Sequence, residues 1–355
     1  MSKRTIFIGI GSLCAVFVVV LLLAKKTGPL KTVISVPNQP SETALEKYRE
    51  NVKDVQIGRI SGGVYYMSLS NKIQLDKTTN LTDVNNFTPL SVVFDSVPVH
   101  VEISPSEKYV LSEEKEGESQ PNRLTVYDAS GVQKKLTISN AFEAHWLAGD
   151  RLIFVSRDPA TNYQLKTSAR DFSGQAIVSS YQNPISAIDV SSDQSKAIIT
   201  SLTGGGDDTP SSQSIAVYDE KTQVFSPLPN IPLITDAHWS DNDNLLLKQA
   251  TSNDENPSTQ VAVVDIAGKV KQGLPIEGDL TQAIRINDDV FYASSTGISD
   301  PEGIASYSLL NHLVIDWIKP GTTPLVSIDQ IIAVPSKNMV LIVSKSNLYA
   351  FSYSK

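Results

Sequence analysis

Cysteine is nearly missing from this sequence of 355 residues: the single one, Cys14, lies inside an apolar run near the N-terminus. The chain beyond that run therefore has no disulfide and no thiol nucleophile. An oxidising compartment permits disulfides without requiring them, so the absence fits a bacterial extracytoplasmic surface and disfavours a secreted eukaryotic domain. Cys14 is no lipidation site either. Such a cysteine follows Gly or Ala at the end of its apolar run, whereas Cys14 follows Leu13 in the middle of one. Basic charge is also scarce. Residues 1–30 hold Lys3, Arg4, Lys25 and Lys26 and no acid, so the whole-chain net charge of −8 leaves −12 on residues 31–355. Nucleic acid is bound by neutralising phosphates with Lys and Arg, and this balance excludes it as an expected partner.

Several catalytic signatures are missing too. No G-x-S-x-G occurs, and Gly297-Ile298-Ser299-Asp300-Pro301 lacks the final glycine. The stretch GGGDD at 204–208 is rich in glycine but has no lysine and no helix pattern after it, so it is no phosphate loop. The 38 acids offer too many pairs for glycoside chemistry to be picked out, because the separation that matters is three-dimensional. No catalytic residue, cofactor or metal site is expected.

What is present begins with Thr5–Ala24, twenty residues without a charge, bracketed by basic residues. At about 1.5 Å per residue the run spans roughly 30 Å, the hydrocarbon thickness of a bilayer. A cleaved signal peptide has a shorter apolar core and a small-residue exit. Here the run passes directly into Ala24-Lys25-Lys26, so an uncleaved single-pass membrane anchor is predicted for residues 5–24. The basic residues on its two sides nearly balance. A four-residue tail before a large C-terminal domain favours that domain outside the cytoplasm. The expected organisation is a cytoplasmic tip and anchor at 1–26, a linker at 27–54 and a folded domain at 55–355. Within the linker, Thr43-Ala44-Leu45-Glu46 has the form of a capping box, and Leu45, Tyr48 and Val52 follow at helical spacing, predicting a short helix over 44–53.

Beyond it the helical period disappears. Short runs of Val, Ile, Tyr and Leu alternate with polar turns, the pattern of an all-β chain. One unit recurs: an apolar anchor, a polar turn, then an apolar run. The anchors Ile60, Ile103, Trp146, Val190, Trp239, Ile286 and Val334 are 43 to 49 residues apart. A third run follows most copies, as in RLTVYD (123–128), SIAVYD (214–219) and QVAVVD (260–265), then a turn and a fourth run. Four strands every 40–50 residues define a β-propeller blade. Seven copies predict seven blades, or six if the weak first copy is not one. The last copy is short of a fourth strand, so Thr32–Val36 or Lys53–Ile57 is expected to complete it and close the ring.

AHWSDNDNLLL (237–247) followed by a V-x-V-x-D strand resembles the WD-repeat-like propellers of the TolB and dipeptidyl-peptidase N-terminal type. The resemblance covers residues 55–355, although the Pro-Asp-Gly turn of that group is missing and only two copies keep the tryptophan. It implies an extracytoplasmic propeller that binds proteins or peptides. The box S-x-D-x-G-x-T-W of sialidase-like propellers is absent.

Two features of the repeat bear on chemistry. Asp241-Asn242-Asp243-Asn244 imitates the start of a calcium loop, but Leu245, Leu246 and Ser252 occupy its fifth, sixth and twelfth places, so a strand-to-strand turn is predicted. His145 and His238 each directly precede an anchor tryptophan and are the candidates for a site in the channel. With Val101, Asp189, Arg285 and Ala333 taken as their counterparts, only one acid is in register, which favours a packing role. The long insertions, in contrast, fall at one recurring place between second and third strands. They carry Glu113, Glu114, Glu116, Glu118, Asp207, Asp208, Asp254, Glu255, Asp300 and Glu302 on one face. Loops on a rigid scaffold commonly carry binding. The expected function is non-enzymatic recognition or scaffolding, with a protein or peptide partner on this acidic face. The alternative is a propeller enzyme acting on glycans or peptides at the channel mouth.

Overall fold

A computed structural model of the chain describes residues 45–68, 73–79, 87–115, 122–131, 133–160, 162–203, 212–229, 231, 233–250, 259–276, 283–294, 302–321, 325 and 327–353. The chain divides after Ser41 into two units, and all described residues belong to the second. No helix among them is long and apolar enough to cross a membrane. The predicted anchor at 5–24 lies outside the described residues.

The described part is built from antiparallel strands. Strand β1 (Glu46–Glu50) precedes a four-stranded sheet of β2 (Val52–Ile57), β3 (Val64–Ser68), β4 (Gln74–Thr78) and β5 (Thr88–Pro89). The next sheet holds β6 (Pro98–Ile103), β7 (Tyr109–Lys115), β8 (Asn122–Asp128) and β9 (Lys134–Ser139). It is followed by β10 (Ala141–Leu147), β11 (Arg151–Asp158), β12 (Asn162–Ser168) and β13 (Gln175–Tyr181). An eight-stranded sheet comes next. Its first half is β14 (Ile185–Val190), β15 (Lys196–Thr203), β16 (Ser212–Asp219) and β17 (Val224–Pro227); its second is β18 (Ile234–Trp239), β19 (Asn244–Ala250), β20 (Thr259–Asp265) and β21 (Val270–Leu274). One register pair, Gln213 with Ile234, joins the halves. Strands β22 (Ala283–Ile286), β23 (Asp289–Ser294), β24 (Gly303–Ser308) and β25 (Val314–Ile318) form another four-stranded sheet. The last sheet takes β26 (Ile328–Val334), β27 (Met339–Ser344) and β28 (Asn347–Ser352) from the C-terminal end and β1 as its fourth strand.

In place of the helix predicted over 44–53 stand β1 and the start of β2, and the N-terminal segment that completes the last sheet, as expected of one, is β1. Lys53–Ile57 belongs to β2, and Thr32–Val36 lies outside the described residues. Glu46 pairs with Ala350, Lys47 with Tyr349, and Glu50 with Asn347. A ten-residue helix is marginal alone in water, whereas the open edge of β28 offers a row of backbone donors and acceptors. Tertiary pairing overrides the local capping signal. Residues 46–50 and 52–54, assigned to a linker, are therefore part of the folded sheets.

The core lies between the sheets. Val52, Val55 and Val64 pack with Leu341, Val343 and Ala350, joining the first sheet to the last. Met67 and Tyr65 pack with Val101 and Val110, and Leu111 and Val126 with Trp146 and Phe154. Every later junction has its own cluster: Leu147 and Ile153 with Ile188 and Ile199, Ile198 and Val217 with Leu245 and Leu247, Leu246 and Val263 with Val290 and Tyr292, and Phe291 with Val340 and Phe351. A sheet with both faces apolar is stable only when both are covered, and successive sheets supply that cover. First strands also touch around the ring, β2 with β6, β6 with β10, β10 with β14, β14 with β18, β22 with β26 and β26 with β2.

A chain beginning at Asn51 differs from one beginning at Glu42 by the loss of β1. It is expected to unfold at a lower temperature than the chain from Glu42 and to self-associate through the bare edge of β28. Equal melting temperature and a monomeric profile by light scattering would show that β1 does not close the last sheet.

Candidate functional site

Four of the first strands share a pattern in which a buried apolar residue is flanked by half-buried side chains. In β6, His100 and Glu102 flank Val101; in β10, Glu143 and His145 flank Ala144; in β14, Ala187 and Asp189 flank Ile188; in β18, Asp236 and His238 flank Ala237. The alternation is the period of two of a strand, with one face packed between sheets and the other turned to the interior of the ring. A register irregularity recurs near the start of these strands, between Pro98 and His100, Phe142 and His145, Ile185 and Ala187, and Ile234 and Asp236. Such a bulge re-aims the side chains that follow it.

In β2, β6 and β14 the penultimate residue of the first strand performs a repeated task. Gln56 accepts from the Ile103 amide at 2.8 Å and donates to the Val101 carbonyl at 2.6 Å. Asp189 accepts from the Trp239 amide at 3.0 Å, while the Trp239 indole donates to the Asp189 carbonyl at 3.0 Å. The Trp146 indole donates to the Glu102 carbonyl at 3.0 Å, and its amide approaches Glu102 Oε1 at 3.5 Å. One sheet's polar side chain thereby holds the backbone of the next.

Each candidate histidine sits on such a clamp. His145 Nδ1 lies 3.2 Å from Glu102 Oε2, and His238 Nδ1 lies 3.3 Å from Asp189 Oδ2. His238 Nε2 also faces Asp236 at 3.1 Å. Two details of the register differ from the sequence reading, in which a single acid matches His145 and His238 and a packing role is favoured. Counting back from Ile103, the counterpart of His145 is Glu102, not Val101, so a second acid is in register. The two histidines also divide between separate acids of the preceding first strands. Among the described residues the group with metal-ligating geometry is His100, Glu102 and His145, whose donor atoms lie within 4.8 Å of one another. His100 was missed, and the signal for it was its i, i+2 relation to Glu102 on a strand.

Charge pairing governs protonation here. Burial alone would raise the Glu102 carboxyl, but hydrogen bonds and charge from His100 and His145 outweigh it and bring it down to about 2. Burial would lower the His238 imidazole, yet Asp189 and Asp236 overcome that and raise it to about 10. A recess of about 290 Å³ lined by Gln56, Ile57, Arg59, Glu102, Ile103, Ser104, Pro105, Gln194 and Ile332 opens beside Glu102, drawing residues from four sheets.

The acidic residues assigned to the loop face divide. Glu113 and Glu114 are in β7 and buried, not exposed on a loop. Glu114 accepts from Arg123 at 2.6 Å, Tyr127 at 2.7 Å and Ser96 at 2.9 Å. Glu113 accepts from Asn122 and from the Glu143 amide at 3.0 Å. Both are structural, because a buried carboxylate is stable only with such donors. Glu302, half-buried beside β24, accepts from the Ile328 amide and ties two sheets together. Glu116, Glu118, Asp207, Asp208, Asp254, Glu255 and Asp300 lie outside the described residues. The segments that carry them do fall between second and third strands, as the repeat predicted. The apparent calcium loop is a turn: Asp241 Oδ1 accepts from the amides of Asp243 and Asn244, each at 2.9 Å, and Asn244 opens β19.

No protein-family model matches this sequence, and no curated protein does. Solved structures do. A chain of a mitotic checkpoint complex superposes with a TM-score of 0.60 at 10% identity, covering 92% of this chain and 97% of that one. The β-propeller domain of the Trilobed protease from Pyrococcus furiosus, described as having an open velcro topology, gives 0.56 at 12% identity over 86% and 96%. TolB from Acinetobacter baumannii gives 0.43 at 13% identity over 85% and 79%. The first two fix the fold: this chain is a β-propeller.

The His238 pairing makes a pH prediction. A folded-state value near 10 against an ordinary 6.5 gives stabilisation that is complete below about pH 6.5 and lost as pH rises towards 10. Urea unfolding between pH 6 and 10.5 should show a steeper decline for the parent than for His238→Gln. Parallel profiles would rule out the charged pair.

Proposed function

We propose that the chain is a single-pass membrane protein that presents a seven-bladed propeller outside the cytoplasm as a non-enzymatic binding module. The blade number counts the two halves of the eight-stranded sheet separately, each with four strands of its own. Residues 5–24 supply the anchor, on the strength of their length and lack of charge. The contact face consists of the long loops between second and third strands.

One observation carries the reading: the acids Glu116, Glu118, Asp207, Asp208, Asp254, Glu255 and Asp300 cluster in repeat-equivalent insertions of a chain whose net charge beyond residue 30 is −12. Repeat-equivalent loops of a propeller leave on the same side, and a one-signed surface steers an oppositely charged partner. The partner is accordingly a protein or peptide with a basic surface. The neighbour found in a mitotic checkpoint complex supports a role in assembly, since there the same fold sits in a multiprotein complex.

The test is crosslinking of the anchored protein in its own cells, with identification of what it holds. Replacing Glu116, Glu118, Asp254 and Glu255 together by their amides should reduce capture of that partner about tenfold or more and weaken its salt dependence. Undiminished capture removes the acidic face from the contact. Protease treatment of intact cells should digest the propeller, and protection would place it in the cytoplasm instead.

A further inference from the structure

We propose that His100, Glu102 and His145 bind one divalent transition-metal ion of the zinc class on the inner wall of the propeller. Two imidazoles and one carboxylate are the donor set that suits zinc and its neighbours, and three protein ligands with an open position are typical of reactive sites. The spacing fits. Glu102 Oε2 lies 3.7 Å from His100 Nε2 and 3.2 Å from His145 Nδ1, and all three donors fall within 4.8 Å. Bonds of about 2.0 Å around a tetrahedral ion put neighbouring ligands roughly 3.3 Å apart. Only small side-chain adjustments separate the observed cluster from that arrangement.

Orientation is supplied by the fold. Glu102 is fixed through the Trp146 amide and indole, and Trp146 is itself fully buried. Outer partners of this sort hold ligands in place. The three side chains are 17% to 32% exposed, so one side of the cluster faces the ring's interior. Because Glu102 belongs to β6 and His145 to β10, a bound ion ties adjacent sheets and leaves a coordination position for a donor from a partner.

The second copy of the clamp provides an internal control. Asp189 and His238 repeat the Glu102 and His145 geometry, but Ala187 holds the place of His100. The clamp alone therefore does not require His100. In the first copy that histidine stands 3.7 Å from Glu102 with its ring tilted beside that of His145, where it adds a third metal donor.

The experiment uses the full-length chain in detergent, stripped with a chelator and titrated with Zn2+ by calorimetry, with Co2+ absorption to report geometry. One ion per chain and a tetrahedral Co2+ spectrum are expected. His100→Asn should weaken binding roughly a hundredfold and abolish the rise in melting temperature that Zn2+ gives the parent, while His238→Asn should bind like the parent. His100→Asn keeps the tryptophan clamp, so it tests the site even if His145→Asn fails to fold. No stoichiometric uptake by the parent, or equal affinity in His100→Asn, overturns the proposal.

Discussion

Ring closure is the constraint on which the other features depend. The last sheet receives only three strands from the C-terminal end, and its fourth is β1, three hundred residues earlier in sequence. Once β1 is in place on β28, Val52 and Val55 of β2 follow directly into the cluster with Leu341 and Val343. Without that pairing, two apolar faces would lie open. The clusters elsewhere are each formed by consecutive sheets and depend on shorter loops. The first-to-last junction alone carries a large loop-closure cost, and it secures the whole circle. Gln330 adds to it by accepting from the Val55 amide at 3.1 Å and donating to the Val55 carbonyl at 3.0 Å.

What the sequence made legible was the period. Second and third strands such as LLLK and SIAVYD are apolar runs with polar turns at fixed offsets, so they announce themselves without any structure. The ends of the period were harder. The repeat spacing points to Ile60 as the first anchor, but it is 74% exposed in a turn, and Ile57, paired with Val64, holds that place. The six-residue turn at 58–63, containing Gly58, Gly62 and Gly63, pushed the apparent anchor outward. EKYRE failed differently. Its residues suit a helix, and only the distant edge of β28 makes it a strand.

The site was partly legible for the same reason. His-Trp doublets in two copies marked first-strand positions whose side chains meet an acid of the preceding first strand. Their partners were invisible, because Glu102 and Asp189 lie 43 and 49 residues upstream and meet them only across a junction. The buried acids show the converse error. Glu113 and Glu114 stand in a run rich in charge and read as loop. They are in fact the end of β7, where Glu114 is neutralised by its cross-strand neighbour Arg123 and capped by Tyr127 and Ser96. Composition cannot distinguish a solvated acid from one paired across a sheet.

The polar position before the anchor explains why structure and ligand binding converge on one ring of residues. Its first task is mechanical: Gln56, Glu102 and Asp189 each hold the next sheet's backbone, one as a neutral amide and two as carboxylates. A hydrogen-bonding task that tolerates amide and carboxylate alike leaves the charge of that position free to vary. Where a carboxylate is used, the next first strand brings a histidine against it, and burial strengthens the pair because water screens it less. A third donor at the neighbouring inner position then suffices to turn a clamp into a coordination site. His100 supplies that donor in one copy and Ala187 withholds it in the other. The inner wall of this propeller thus carries two related polar clusters, one complete for a metal ion and one held as an ion pair.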